Sequence, residues 1–290
     1  MCVDLVSGKT SVYGIIGNPV EKSFSPVLQN TIGREMGFNM VYVPFKVERG
    51  QVKTAVMGGQ ALGIKGFNVT VPHKIEVMDA LCGIDSVAER IGAVNTLKLT
   101  EKGYVGYNTD IIGLRKCFEE RNTSLKGKNV VLAGAGGAAN SAAILAGEEG
   151  AAKLVIVNRT IEKAEELAER VRRNYNIEVK TCGYSDIMDI DNPEIFIQTT
   201  SVGMGDGAGN TPVEKAEFFK NVNMVVDIIY TPWETRLMKE AAEMGAVTVN
   251  GFDMLFYQGL ASFEIWNDIK VDIDTAVALK KKLTAFYRGR

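Results

Sequence analysis

The run Val130-Val-Leu-Ala-Gly134-Ala135-Gly136-Gly137-Ala138-Ala139 constrains this chain most: an apolar stretch ends in G-x-G-x-x-A and passes into small residues. That order predicts a buried strand, a tight turn and a helix that packs closely on the strand. Around it, Asn129 to Ala133, Leu154 to Val157, Glu178 to Thr181, Ile195 to Gln198, Met224 to Ile228 and Val247 to Val249 read as strands separated by helix-length connections. Six is the strand count of a full doubly wound parallel sheet. Between the second and third, Ile161, Ala164, Leu167, Ala168 and Val171 recur at helical spacing with charges on the other face, so that crossover is an amphipathic helix.

The glycine turn suits a pyrophosphate. Glycine removes the side chain from the backbone N–H groups at a helix start, and the helix dipole favours negative charge there. The alternative is a glycine-rich turn needed only for packing. At the end of the second strand, Asn158-Arg159-Thr160 puts a guanidinium where an NAD site usually has an acid on the ribose. Arg159 can stack on adenine and fork onto a 2′-phosphate, with Lys163 a helical turn away as a second cation, which favours NADP over NAD. The alternative is a solvated arginine, with Thr160 capping the next helix.

The first half alternates in the same way, with a strand at Val12 to Ile16, a helix from Pro26 and a strand at Val41 to Phe45. Pro26 suits the first helical position, so Ser25 is the expected N-cap. Ser23 has no capping duty, and the two hydroxyls at a helix start make a ready carboxylate site. In Gly66-Phe-Asn68-Val-Thr70-Val-Pro72-His73-Lys74, polar Asn68 and Thr70 alternate along a strand, and Pro72 is expected to open a helix with Lys74 in its first turn. A cation there breaks the dipole rule, and broken local rules gather at functional positions. His73 is expected to be a partly exposed neighbour. A hairpin follows Thr96, and Asp110 stands at the mouth of an amphipathic helix, by default as a cap. After Gly251 come aromatic-rich and then polar helices with no further strand, so the tail is expected to pack back on the first half. The expected division is 1–113 plus 252–290 as an α/β domain with a mainly parallel sheet completed by C-terminal helices, and 114–251 as a Rossmann-type nucleotide domain.

Composition removes other classes. Net charge is −2 over 290 residues, too near zero for an electrostatic footprint on nucleic acid or an anionic membrane. No apolar run reaches the ~18 residues of a membrane span. Met1 to Thr10 lacks the apolar core of a signal peptide, so the mature chain is expected to start there. Cys2, Cys82, Cys117 and Cys182 form no C-x-x-C, which fits a reduced cytoplasm and argues against zinc or disulfides. With His73 the single histidine, acid/base chemistry is expected from a Lys, Asp, Glu or Tyr, and no metal is expected.

Gly17-Asn-Pro with Ser23-Phe-Ser25-Pro, Asn68-Val-Thr70-Val-Pro-His-Lys74, Gly92-Ala-Val-Asn95-Thr, Asn108-Thr-Asp110, Gly134-Ala-Gly-Gly-Ala138 and Asn158-Arg-Thr160 stand in one order over most of the chain. Together they resemble the shikimate dehydrogenase family, NADP-dependent enzymes of aromatic amino-acid biosynthesis that reduce 3-dehydroshikimate to shikimate. The resemblance implies that Ser23 and Ser25 hold the substrate carboxylate and that Asn68, Thr70, Asn95 and Gln258 bind ring hydroxyls. Lys74 and Asp110 would be the catalytic pair. Gly134, Ala135, Gly136, Gly137 and Ala138 would hold the pyrophosphate, and Asn158, Arg159, Thr160 and Lys163 the adenosine 2′-phosphate. Tyr230 and Gly251 would lie near substrate and nicotinamide at a domain cleft, with Thr199 to Met204 passing beside the nicotinamide. Lys22 stands where the family often has histidine, a change expected at the pocket rim. Competing readings are an NAD-dependent quinate/shikimate dehydrogenase, a methylene-tetrahydrofolate dehydrogenase-like enzyme and a non-catalytic NADP-sensing regulator. The implied partner is a small-molecule substrate, with neither nucleic acid nor membrane; a homodimer is one oligomeric state among those left open.

Overall fold

β-Branched and aromatic runs build the first sheet of the computed structural model, which describes residues 6–289. Its elements are β1 (Ser11–Gly17), α1 (Ser25–Glu35), β2 (Met40–Lys46), α2 (Val52–Ala61), β3 (Gly66–Val69), β4 (Gly83–Ile84), α3 (Ser86–Ile91), β5 (Thr96–Thr100) and β6 (Gly103–Tyr107). The strand order is β2-β1-β3-β5-β6-β4. The β1/β2, β1/β3 and β4/β6 pairs are parallel, whereas β5 runs antiparallel to β3 and to its hairpin partner β6. α3 is bounded by the Asp85 carboxylate, which accepts from the Val87 N–H, and by Gly92 at φ +68°, a left-handed stop that favours glycine.

The second sheet follows α4 (Asp110–Glu119): β7 (Asn129–Ala133), α5 (Gly137–Glu148), β8 (Lys153–Val157), α6 (Ile161–Asn174), β9 (Glu178–Cys182), β10 (Ile195–Gln198), β11 (Met224–Asp227), α7 (Arg236–Glu243) and β12 (Val247–Asn250). All of its pairs are parallel, in the order β12-β11-β10-β7-β8-β9. Each expected strand is present to within a residue at either end. The order reverses between β7 and β10, the switch point at which open α/β sheets bind ligands. Phe196 on β10 is fully buried with Phe218 and Phe219 at ring-centroid distances of 5.7 and 5.6 Å, and truncating such a ring to alanine costs about 3–5 kcal/mol.

α8 (Phe252–Asn267) and α9 (Ile273–Arg288) end the chain. The fold divides into two compact units: the segment ending at Thr109 with the one beginning at Phe256, and Asp110–Leu255. In the first unit the Trp266 indole N–H donates to the Leu97 carbonyl at 2.9 Å, and a Cβ on Gly66 would fall 2.3 Å from that indole nitrogen. α8 is thus pressed onto the centre of the first sheet.

Three local expectations are corrected. α1 takes in Ser25 itself, its N-cap position is Phe24, and no side chain caps it. Helical backbone already at Phe24 (φ −80°, ψ −14°) moves Pro26 one place inward and leaves Ser25 no capping role. No α-helix opens at Pro72: β3 ends at Val69, residues 71–75 form turns, and a 3-10 turn occupies Glu76–Ala80. Lys74 is therefore not in the first turn of an α-helix. His73 is fully buried rather than partly exposed, its Nε2 2.7 Å from the Val47 carbonyl. Cys2 and the start of the Met1 to Thr10 segment lie outside the described residues. Among the described residues, no helix is long and apolar enough to cross a membrane, and no cluster of His, Cys, Asp or Glu could hold a metal ion.

Candidate active site

A buried polar network lies at the centre of the first unit. The Tyr42 hydroxyl on β2 donates to Asn68 Oδ1 on β3 at 2.8 Å. Asn68 Nδ2 reaches the Asn95 carbonyl at 3.2 Å, Thr96 Oγ1 at 3.2 Å and Ser262 Oγ at 2.9 Å. Asn95 Oδ1 accepts the Thr109 N–H at 2.7 Å and the Thr96 hydroxyl at 3.0 Å, while its Nδ2 donates to Thr109 Oγ1 at 2.9 Å and reaches Gln258 Oε1 at 3.4 Å. Ser262, one turn after Gln258 on α8, donates to the Gln258 carbonyl at 2.9 Å. Buried polar groups this densely paired hold one arrangement, because breaking any bond leaves a partner unsatisfied at about 1–3 kcal/mol.

The Lys74 carbonyl accepts the Val94 N–H at 2.8 Å, so the half-buried Lys74 is pinned to the stretch that carries Asn95. The same stretch holds residues 107–109: Asn95 N–H donates to the Tyr107 carbonyl at 3.0 Å and Asn108 Nδ2 to the Ala93 carbonyl at 2.8 Å. Asp110, the next residue, is buried at the start of α4 and belongs to the second unit.

Thr70 is half-buried, its N–H bonded to the Ile16 carbonyl at 2.9 Å, and a Cβ on Gly17 would lie 2.2 Å from Thr70 Cγ2. The Asn18 N–H donates to the Val71 carbonyl at 2.9 Å, which brings the Gly17-Asn-Pro loop beside Thr70. Ser23 Oγ accepts the Ser25 N–H at 3.3 Å, so it has a local turn role that spacing did not predict. Ser25 is buried and its hydroxyl interacts with Tyr42, whose phenol burial pushes well above its ordinary value, Ser25 opposing the shift.

In the second unit, Gly134 has φ +114°, and a Cβ on it would strike Thr199 Oγ1 at 2.5 Å. Thr199 is held there through its N–H and its hydroxyl, 2.9 and 2.7 Å from the Ala133 carbonyl. Packing alone therefore accounts for Gly134. Gly136 differs: it is the N-cap of α5, no side chain caps that end, and a Cβ would meet nothing within 4 Å. The first N–H groups of a helix lack intrahelical partners, so this end, with no acid in its first turn, fits a phosphate.

Arg159 and Lys163 are exposed, and among the described residues neither makes an ion pair, unlike Arg115, Arg121, Arg172 and Arg236. Thr160 occupies the N-cap of α6, yet its side chain makes no capping bond. Asn158 Nδ2 donates to the Thr160 carbonyl at 2.8 Å, shaping the turn. Two cations and an uncommitted hydroxyl after β8, beside an uncapped helix start after β7, fit a dinucleotide with a 2′-phosphate.

Tyr230 is half-buried on a loop that starts from Asp227. Asp227 is fully buried, accepts the Ile229 N–H at 3.0 Å and the Thr235 hydroxyl at 2.7 Å, and is pushed up to about 6 by burial, against those two bonds. Asn250 Nδ2 reaches the Ile229 and Trp233 carbonyls at 3.3 and 2.5 Å. Gly251 donates to the Ile229 carbonyl at 3.1 Å, and a Cβ would sit 2.0 Å from the Ile228 carbonyl, so close backbone approach accounts for this glycine. Tyr42, Thr96, Thr109, Ser262 and Asp227 were not singled out from sequence for these roles. Ser262 and Asp227 left one signal, a polar residue among apolar ones.

Three family models cover the chain in order: shikimate dehydrogenase substrate binding domain at residues 15–97, shikimate / quinate 5-dehydrogenase at 116–228, and shikimate 5′-dehydrogenase C-terminal domain at 251–278. A shikimate dehydrogenase (NADP(+)) of Methanocaldococcus jannaschii is 44% identical over 274 residues, spanning 93% of this chain and 96% of that one. A crystal structure of a shikimate dehydrogenase in complex with NADP+ superposes with a TM-score of 0.87 at 42% identity, covering 96% of this chain and 97% of that one. Shikimate 5-dehydrogenase from Listeria monocytogenes, in complex with shikimate and NAD, gives 0.86 at 30% identity over 96% and 99% of the two chains.

Proposed function

The chain belongs to the shikimate dehydrogenase family of NADP-dependent oxidoreductases, and from that premise we propose that it catalyses the reversible reduction of 3-dehydroshikimate to shikimate with NADPH, a step of aromatic amino-acid biosynthesis. The observation that carries this reading is the tie between Lys74 and the Asn95 stretch through the Val94 N–H at 2.8 Å, which fixes an ammonium-bearing residue beside a buried amide network. Such a pairing suits a polyhydroxylated carbonyl substrate: amides and hydroxyls orient the ring, and a cation meets the oxygen on which charge develops.

Lys74 donates the proton that the carbonyl oxygen needs as it becomes an alkoxide, and in the reverse direction takes it back. Asp110 orients the ammonium. Ser23 and Ser25 receive the carboxylate, and Asn68, Thr70, Asn95 and Gln258 the ring hydroxyls. Tyr230 and Gly251 flank substrate and cofactor. NADPH supplies the hydride; the backbone from Gly134 to Ala138 would hold its pyrophosphate, and Asn158, Arg159, Thr160 and Lys163 its 2′-phosphate. The open space at Gly136 and the unpaired cations after β8 support that assignment. We take 1–113 plus 252–290 as the substrate domain and 114–251 as the NADP domain. The free thiols of Cys82, Cys117 and Cys182 support a cytoplasmic location.

Initial rates with shikimate and quinate, each with NADP and NAD, test the proposal. Shikimate with NADP is expected to give the highest kcat/KM; quinate with NAD in first place would replace it with the quinate-type reading.

A further inference from the structure

α1 carries the proposed carboxylate site at its start, and it begins without a cap. Phe24 occupies the N-cap position with helical backbone (φ −80°, ψ −14°), and no side chain bonds to the first turn. A helix entry is ordinarily fixed by such a capping bond, or by an apolar pair joining the residue before the cap to one a turn later. Here the residue before the cap is Ser23, which is polar, so neither device sets the entry of α1.

Phe24 itself supplies the fixing contact. Its ring is buried and meets Tyr287 edge-on, at a centroid distance of 5.1 Å and an interplanar angle of 90°, with Phe286 at 6.4 Å. Both rings come from the last turn of α9. Edge-to-face contact is an arrangement that ring quadrupoles prefer, so it orients Phe24 as well as burying it. The rest of α1 is held by other means: Lys282 Nζ donates to Glu35 Oε1 at 2.7 Å at its far end, and Gln29 Nε2 donates to the Gly259 carbonyl of α8 at 2.8 Å in its middle. Without the two rings α1 therefore stays docked, and what they place is its first turn.

Ser23 and Ser25 are the chain neighbours of Phe24, so any rotation of its backbone carries both hydroxyls with it. The bond between the two serines, from the Ser25 N–H to Ser23 Oγ, is 3.3 Å, at the long end for such a contact, and moves with the turn rather than fixing it. We infer that Tyr287, with Phe286, is a positioning residue for the substrate carboxylate, acting through Phe24 to set where the Ser23 and Ser25 hydroxyls point. The inference rests on the proposed shikimate site and deepens it, by giving α9 a part in substrate affinity although no substrate or cofactor contact is assigned to that helix.

Steady-state kinetics on the full chain test it. Tyr287→Ala should raise KM for shikimate about three- to tenfold, with kcat and KM for NADP within about twofold of wild type, and Tyr287→Phe, which keeps the ring, should match wild type. In a Ser23→Ala background the same Tyr287→Ala change should cost less than about twofold, because the hydroxyl it orients is already gone. An unchanged KM in a folded Tyr287→Ala enzyme overturns the inference, as does an equal penalty in both backgrounds. So does a loss of kcat and of NADP affinity in proportion, which is what a merely structural contact gives. If Tyr287→Ala does not fold, Tyr287→Leu fills the space without a ring edge and carries the same expectations; failure of both to fold makes the contact structural and overturns the inference. All of these outcomes leave wild-type shikimate oxidation, and so the proposed function, in place, whereas absence of shikimate oxidation in the wild type overturns both.

Discussion

Val94 donates its backbone N–H to the carbonyl of Lys74 at 2.8 Å, and the next residue along, Asn95, grips Thr109 through its side chain. One strand entry therefore holds both Lys74 and the residue that precedes Asp110. A residue positioned by main-chain bonds keeps its place when its own side chain changes.

Lys74→Met should accordingly fold normally and lose on the order of 10² to 10⁴ in kcat, with NADP affinity within about twofold of wild type. Steady-state rates and a cofactor titration check this. Near-normal turnover would remove Lys74 from the chemistry. His73 could not replace it, being fully buried against the Val47 carbonyl.

In the proposed binding mode, Arg159→Ala removes two charge-assisted bonds to a phosphate that NAD lacks, so it should weaken NADP at least about tenfold and leave NAD nearly unaffected. Lys163→Ala should act in the same direction more mildly, through a screened point charge. The ratio of kcat/KM with the two cofactors, in wild type and variants, is the measurement. A ratio untouched by Arg159→Ala would make it a surface residue only.

The two turn glycines should respond oppositely. Gly136→Ala adds a methyl that meets no protein atom, so stability should stay within about 0.5 kcal/mol while KM for NADP rises several-fold. Gly134→Ala forces a side chain onto φ +114° and into Thr199 Oγ1, and should cost about 1–3 kcal/mol. Urea unfolding and cofactor kinetics on both variants separate packing from ligand contact.

Asp227 gives a pH prediction. Its carboxyl rises from 3.8 to about 6 on folding, so between those values the folded chain holds a proton that the unfolded chain has released. Its contribution to stability is complete below the unfolded value and is lost as pH rises through about 6. Asp227→Asn cannot ionise, so its stability relative to wild type should climb between pH 4 and 6.5, by up to about 3 kcal/mol. A flat difference across that range would refute the shifted carboxyl.

The doubly wound sheet is legible almost to the residue, because β8 and β10 carry the apolar runs Leu154 to Val157 and Ile195 to Ile197 with polar residues at their ends, and glycine marks the first crossover. The helix expected at Pro72 failed because a proline at a strand end satisfies a turn as well as a helix start, and only tertiary context decides. The burial of His73 has a similar origin: it depends on the Val47 carbonyl, distant in sequence. The polar residues of the first half stand out as types, but the bonds that join Asn68 to Tyr42 and to Ser262 span 26 and 194 positions of chain, beyond any local pattern.

That long reach bears on the order in which the protein is made. Asp110–Leu255 is one continuous stretch and has its whole sheet once it has left the ribosome, whereas the first sheet must wait for Ser262 and Trp266, near the end of translation, before Asn68 and Leu97 find their partners. The middle of the chain can thus be finished while its beginning is still incomplete. A nascent chain stalled before residue 256 should protect the second sheet from protease and leave the first open to cleavage, and release of the last helices should close it.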